Sequence, residues 1–297
     1  MKRLLIIGCG DVAMRAIPLL TRRYRVFALV RNPAYREKLR ALGVLPISGD
    51  LDDRSSLARI AGLADAVLHF APPANNGARD TRTRHLLAAL SRGALPTQLV
   101  YIGTTGVYGD CGGAIVSESR PLHPQTARAQ RRADAERRIR NWAKRNQVKA
   151  SILRVPGIYA ADRLPLARLR QACPEQGRRS LPCIIDSEDG YTNHIHADDL
   201  ARIAAAALRY GKACRVYHAS DDSQLKMGEY FDAVADALGL PHPSRVSRAE
   251  AQRVLPETLL SFINESRRLT NQRMKRELRV RLHYPAVADM LATIKYP

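Results

Sequence analysis

Arg3-Leu4-Leu5-Ile6-Ile7-Gly8-Cys9-Gly10-Asp11-Val12-Ala13 is the stretch on which the fold turns. Four large apolar residues run without alternation into a glycine, the pattern of a strand buried on both faces of a parallel sheet. Gly8 to Ala13 then fit G-x-G-x-x-A. Gly8 makes the tight turn, Gly10 lets a pyrophosphate approach the backbone, and Ala13 lets helix and strand pack closely. Asp11 and Val12 open a helix expected over residues 11–24, whose N-terminal amides and partial positive charge suit phosphate. The motif alone also fits a turn that merely packs; its place between strand and helix favours a dinucleotide site.

Working outward, a second strand is expected over residues 25–31 and is stopped by Asn32-Pro33. Its end selects the dinucleotide. An acidic residue there holds the ribose 2′-hydroxyl of NAD, whereas Arg31 favours the 2′-phosphate of NADP. NADP is therefore the expected cofactor and NAD the alternative. Further strands are expected at 45–48, 66–70, 98–102 and 149–154, with helices at 36–42, 55–61, 81–92 and 127–145 between them. That alternation gives right-handed crossovers and a parallel sheet. The pattern loosens after Pro156: helices at 164–172, 197–210, 226–238, 248–254 and 271–277, and strands at 183–185 and 215–219. The expected architecture is α/β, a Rossmann-type doubly wound parallel sheet with a small C-terminal α/β substrate lobe. Residues 1–160 form the dinucleotide domain and 161–297 mainly the substrate lobe, with about 190–220 returning to the sheet.

Bulk properties narrow the class. The chain has 297 residues, 45% of them hydrophobic, enough for one large α/β domain. No stretch approaches ~18 consecutive apolar residues, so no membrane partner is expected. The apolar run at residues 4–7 is shorter than the ~7–15 residues of a signal core. Five cysteines, an odd number with no Cys-x-x-Cys spacing, fit a reducing cytoplasm. The net charge of +20 comes from 48 basic residues against 28 acidic ones. Such a surface attracts anionic substrates or nucleic acid. The absence of a nucleic-acid motif and the few aromatics argue against nucleic acid as the partner. His194 and His196 share a strand face without an evident third ligand, so no metal is expected. Asp221-Asp222 reads as a turn. The oligomeric state is left open between monomer and homodimer.

Tyr101-Ile102-Gly103-Thr104-Thr105-Gly106-Val107-Tyr108-Gly109-Asp110, Ile152-Leu153-Arg154-Val155-Pro156-Gly157-Ile158-Tyr159 and His194-Ile195-His196-Ala197-Asp198-Asp199-Leu200-Ala201 carry a resemblance. With the glycine turn and residues 267–284, they resemble the atypical and extended short-chain dehydrogenase/reductases of the NAD-dependent epimerase/dehydratase kind. The resemblance runs in order through nearly the whole chain. It implies that Gly49-Asp50-Leu51 contacts adenine and that Ala71-Pro72-Pro73 lies beneath the adenosine ribose and pyrophosphate. It also implies that Thr104 is the catalytic hydroxyl and that Pro156 passes the nicotinamide.

One element of that family is missing. Its acid/base is a Tyr-x-x-x-Lys pair, and none of the eleven tyrosines here has a lysine four residues on. Pro124 and Glu136 stand where family members have Pro and Glu. Counting back from Glu136 puts Arg132 at the lysine position and Arg128 at the tyrosine position. Arg132 can bond the nicotinamide ribose and Arg128 can hold an anion, but neither serves as a general base at pH 7. Tyr108 is the nearest spare phenol, read either as a substitute donor with Thr104 or as loop packing. The expected function is an NADP-dependent oxidoreductase or epimerase/dehydratase-like enzyme. Its expected substrate is an anionic small molecule, nucleotide-linked or not, held by arginines such as Arg128, Arg154 or Arg163. The alternatives are a non-catalytic NADP(H)-binding sensor or assembly protein, and a basic nucleic-acid-associated module.

Overall fold

Leu4, Leu5, Ile6 and Ile7 are wholly buried, as befits strand β1 (Lys2–Ile7) inside a seven-stranded sheet. The computed structural model describes residues 1–170 and 180–294. β1 pairs in parallel with β2 (Tyr24–Val30) on one side and with β4 (Ala66–His69) on the other. β3 (Leu45–Ser48) flanks β2. β5 (Gln98–Ile102), β6 (Lys149–Arg154) and β7 (Arg215–His218) extend the other edge. The order is β7-β6-β5-β4-β1-β2-β3, all parallel.

The unalternated apolar run of β1 is explained by helices on both faces. Leu4 and Ile6 pack with Ala13, Ala16 and Ile17 of helix α1 (Asp11–Leu20) and with Leu200 and Ala204 of the helix Ala197–Tyr210. Leu5 and Ile7 pack on the opposite face with Leu86 and Leu90 of the helix Thr81–Leu90 and with Ile139 and Trp142 of the helix Ala127–Arg145. The chain winds one way from β1 to β3 and the other way from β4 outward. The crevice therefore opens between β1 and β4, at the carboxyl ends of the strands.

The elements follow the expected alternation with local differences. The helix expected over 11–24 ends at Leu20, because β2 starts at Tyr24. Residues 54–60 wind as a 3₁₀ helix, with Asp53 capping Ser55 through its side chain. The helix expected over 164–172 is seen as Leu166–Arg170; its expected last two residues lie outside the described residues.

Two smaller cores carry the C-terminal half. Tyr159, Leu169, Tyr230, Phe231 and Met290 form one, and Ile184, Val246, Ala251 and Ile263 the other. Two short parallel pairings join this half to the sheet. His194–His196 lies beside Gly157–Tyr159, just past β6. Arg268–Leu269 lies beside Ile115–Val116, past β5. The second pairing brings the 265–267 turn onto the loop that follows β5: the amides of Cys111 and Gly113 both bond the Ser266 carbonyl.

Candidate cofactor and substrate site

The glycine turn sits against the start of the β4 loop. The amides of Phe70 and Ala71 donate to the Ile7 carbonyl at 2.8 and 2.9 Å. A Cβ on Gly8 would lie 2.6 Å from the Ala71 nitrogen, and Gly8 has φ of +92°, so both contact and backbone demand glycine. Gly10 is different: a Cβ there would meet nothing within 4 Å. Its bareness keeps space open at the N-terminus of α1, the cradle a pyrophosphate needs. Ala13 is buried and Val12 packs against the core, so both hold the helix to the sheet.

Asp11 has its carboxylate occupied. It accepts from Arg15 at 3.0 Å and from Arg163 at 2.7 Å. Partial burial opposes its ionisation, but the bonds from Arg163 and Arg15 outweigh that and hold its pKa below the ordinary carboxylate range. It therefore meets a cofactor through its backbone, not its side chain. Arg15 also bridges to Asp162 and Asp198, tying α1 to the C-terminal half.

A cavity of about 310 Å³ runs from this turn across the ends of β1, β2 and β3. Arg31, Asp50, Leu51, Ala71 and Pro72 line it, with Gly8 at one end. Pro73, expected on this wall, is buried away from it; its carbonyl accepts from Arg82. Arg82 was not foreseen. Its guanidinium lines the cavity, clasps Asp52 through two bonds, and donates to the Pro72 carbonyl at 3.2 Å. No local motif announces it, because Asp52 and Arg82 meet only across the sheet end. The bare Gly10, the helix end and this Arg31-lined cavity together fit a dinucleotide.

A second cavity, about 320 Å³, opens past the ends of β5 and β6. Thr104, Arg128 and Pro156 line it, as do Arg168, His194, Tyr230, Glu265 and Arg267. Thr104 Oγ1 accepts the Gly106 amide at 3.2 Å, capping a 3₁₀ turn and leaving the hydroxyl hydrogen available. Arg128 follows the Thr126 cap by two residues and stacks on the Phe262 ring at 4.1 Å. Arg132 is anchored one turn later: it donates to the Ile102 carbonyl at 2.9 Å and to the Tyr101 hydroxyl at 3.1 Å.

Tyr108 is corrected. It is 1% exposed and does not line the cavity. Its hydroxyl lies 2.6 Å from His218 Nε2 and accepts from Arg154 at 2.5 Å. Burial pushes its pKa up to about 12, against the opposing field of Arg154. It packs the loop and cannot face a nicotinamide.

Two of the three arginines expected to hold substrate are also corrected. Arg154 is 2% exposed and forms a two-point bond with Glu136, at 3.0 and 2.7 Å, bracing β6 against the helix Ala127–Arg145. Arg163 reaches Asp11 at the cofactor end. Arg168 and Arg267 take their places beside Arg128. Sequence reasoning missed both, and missed Glu265, because they come from the loosely patterned C-terminal half. The only available signal was the resemblance of residues 267–284 to the family ending.

His194 stacks on Tyr230 with ring centres 4.1 Å apart. Burial pushes its pKa down to about 3, so it is neutral at pH 7. His196 instead accepts the Asp198 amide through Nδ1 at 3.2 Å and caps the helix that follows. Among the described residues, no group of three or more His, Cys, Asp or Glu is placed to hold a metal. No described helix is long and apolar enough to cross a membrane.

Comparison with known proteins agrees with this layout. Residues 15–219 match the model of the NAD dependent epimerase/dehydratase family. The dTDP-glucose 4,6-dehydratases of two Mycobacterium tuberculosis strains are 26% identical over 198 residues, 60% of this chain. That stretch spans 57% of the length of those relatives. Among solved structures, a functionally unknown conserved protein from Silicibacter pomeroyi is 27% identical with a TM-score of 0.78, over 99% of this chain and 98% of that one. The dTDP-glucose 4,6-dehydratase DesIV of Streptomyces venezuelae, solved as a double mutant with NAD bound, is 24% identical with a TM-score of 0.77. That match covers 98% of this chain and 95% of DesIV. With a family model matched over more than half its length and the glycine turn, sheet order and strand-end loops in place, the chain belongs to the NAD dependent epimerase/dehydratase family.

Proposed function

We propose that the protein is an NADP-dependent oxidoreductase or epimerase/dehydratase-like enzyme acting on an anionic small molecule. The observation that supports this most is the pair of cavities at the carboxyl ends of one sheet. One is bounded by Gly8 and Arg31, the other by Thr104, Pro156 and three arginines. Gly8, Gly10 and the N-terminus of α1 hold the pyrophosphate, Asp50 and Leu51 flank the adenine, and Arg31 bonds the 2′-phosphate. When bound, the dinucleotide supplies a hydride donor or acceptor at its nicotinamide.

The chain's own residues supply the rest. Thr104 donates its hydroxyl hydrogen to the substrate oxygen. Glu265, the carboxylate of the cavity, takes or returns the proton that a phenol handles elsewhere in the family. Its side chain is 8% exposed, and Arg267 Nη2 holds Oε2 at 2.8 Å, fixing its direction. A Cβ on Gly106 would stand 3.6 Å from both Glu265 Oε2 and Thr104 Oγ1, so the two groups border the same gap. Arg132, at the lysine position of the missing pair, is anchored to the end of β5 and lines neither cavity, so it braces the strand end behind the site.

The test is a fluorescence titration with NADPH and NADH. NADPH should bind more tightly, and Arg31→Asp should narrow or invert the difference by roughly tenfold or more, as expected for losing a charge-assisted phosphate contact. Equal affinities in the unaltered protein would sink the NADP assignment. A second reading, a dinucleotide-binding sensor without turnover, is favoured by the replaced Tyr-x-x-x-Lys pair. It predicts cofactor binding that changes affinity for a partner while no substrate consumes NADPH.

A further inference from the structure

We infer that the substrate carries its negative charge at the reacting end: a small molecule whose carboxylate or phosphoryl group is bound by Arg128 and Arg168 beside Thr104. This rests on the function proposed above and narrows its substrate. It stands against a nucleotide-linked sugar, whose charge lies remote from the reacting carbon.

The Thr104 cavity is lined by three arginines. Arg128 makes no hydrogen bond among the described residues; its guanidinium rests on Phe262 at 4.1 Å and lines the cavity. Arg168 rests on Phe231 at 4.0 Å. Among the described residues it has only long contacts, to the Pro182 carbonyl at 3.4 Å and Cys183 Sγ at 3.9 Å, and its buried Nε has no partner there. Arg267 is 8% exposed and bonds Gly109 and Glu265 through its two terminal nitrogens, yet its buried Nε is also unpartnered. Buried N–H groups are rarely left unpaired, and guanidinium edges held by aromatic shelves suit a planar or tetrahedral oxyanion. Among the described residues three guanidinium groups face one carboxylate, an excess of two positive charges.

In the neighbouring cavity, which shares Tyr191, the cations are partly engaged: Lys226 with the Asp186 carbonyl, and Arg248 with the Glu188 carbonyl and Asn264. Asp110 and Asp189 line it as well, so among its described lining residues two cations face two carboxylates and no net positive charge draws a diphosphate. The Thr104 cavity, at about 320 Å³, is also near the lower end of the ~300–1,000 Å³ typical of ligand sites.

The test uses the full chain saturated with NADPH and isothermal titration with three probes: malonate, inorganic phosphate and dTDP. At least one small anion should bind more tightly than dTDP. The tighter of malonate and phosphate then identifies a carboxylate or a phosphoryl group. Arg128→Gln and Arg168→Gln should each weaken that binding by roughly 10- to 100-fold, the effect of losing a bond to a charged group. Unchanged melting temperatures and unchanged NADPH affinity in both variants separate this effect from misfolding. The inference is overturned if dTDP binds more tightly than both small anions. It is also overturned if neither small anion binds, or if both variants bind them like the unaltered protein. Failure of NADPH to bind strikes the proposed function instead; the anion titrations on cofactor-free protein then decide this inference separately.

Discussion

The two cavities differ in how the chain builds them. The cofactor cavity takes its walls from the ends of β1 to β4, almost all within residues 7–72, with Arg82 the single late arrival. The substrate cavity gathers residues from Thr104 to Arg267. The first is a product of local turns, each fixed by its own strand and helix. The second exists only after distant segments have packed. Local rules therefore suffice for the first half, while the second depends on how distant segments pack.

The sharpest break between the halves is Glu265→Gln. It should lower the rate of any turnover by roughly 10²- to 10⁴-fold, the usual contribution of a general acid or base, with NADPH affinity unchanged. Full activity in that variant would move the proton elsewhere. Next is the brace behind the substrate cavity. Glu136→Gln leaves Arg154 buried without its counter-charge and should destabilise the fold by about 3–5 kcal/mol in urea denaturation. A loss below about 1 kcal/mol would show that β6 and the helix do not depend on the pair.

The dependence of stability on pH sharpens the comparison further. Burial pushes the pKa of His69, His194 and His218 down to about 3 from 6.5. Below pH 6.5 the unfolded chain takes up protons that these rings refuse, so stability falls as pH drops toward 3. Asp221 is the reverse: burial raises it from 3.8 to about 8. Through that window the folded chain keeps a proton the unfolded chain has released, so Asp221 lowers stability as pH rises. Below pH 6.5 the histidines, with His196 also lowered by burial, outweigh the aspartate. Between pH 6.5 and 8 Asp221 contributes a slope of at most about 1.4 kcal/mol per pH unit. Asp221→Asn should flatten that alkaline limb in urea midpoints; an unchanged limb would remove Asp221 as its source.

The smallest effect separates two glycines of one turn. Gly8→Ala should cost at least about 1–2 kcal/mol, from its positive φ and its clash with Ala71. Gly10→Ala should lie within about 0.5 kcal/mol of the unaltered protein, since its side is open, yet weaken NADPH binding. A Gly10→Ala variant that binds NADPH as before would mean that the pyrophosphate does not approach there.

The fold and the cofactor half were legible in the sequence because their signals are local. An apolar run, a glycine spacing and a strand-terminal arginine each act within a few residues. The missing Tyr-x-x-x-Lys pair was legible too, and of the two arginines at its positions Arg128 lines the second cavity. The role of Tyr108 was not, because His218 and Arg154 enclose it from distant segments. Arg267 was invisible for the same reason, since its Gly109 partner lies 158 residues away. Arg168 and Glu265 reach the cavity only through the packing of the C-terminal half, which no periodicity announces, and an arginine-rich composition hides the few arginines that line it.

The pairing of Arg268–Leu269 with Ile115–Val116 has a consequence for the order in which the molecule is made. Arg267 bonds the Gly109 carbonyl across 158 residues of chain. During synthesis the dinucleotide crevice between β1 and β4 is translated long before this last wall leaves the ribosome. Until residues 265–267 emerge, Thr104 and Arg128 lack the wall that completes the second cavity.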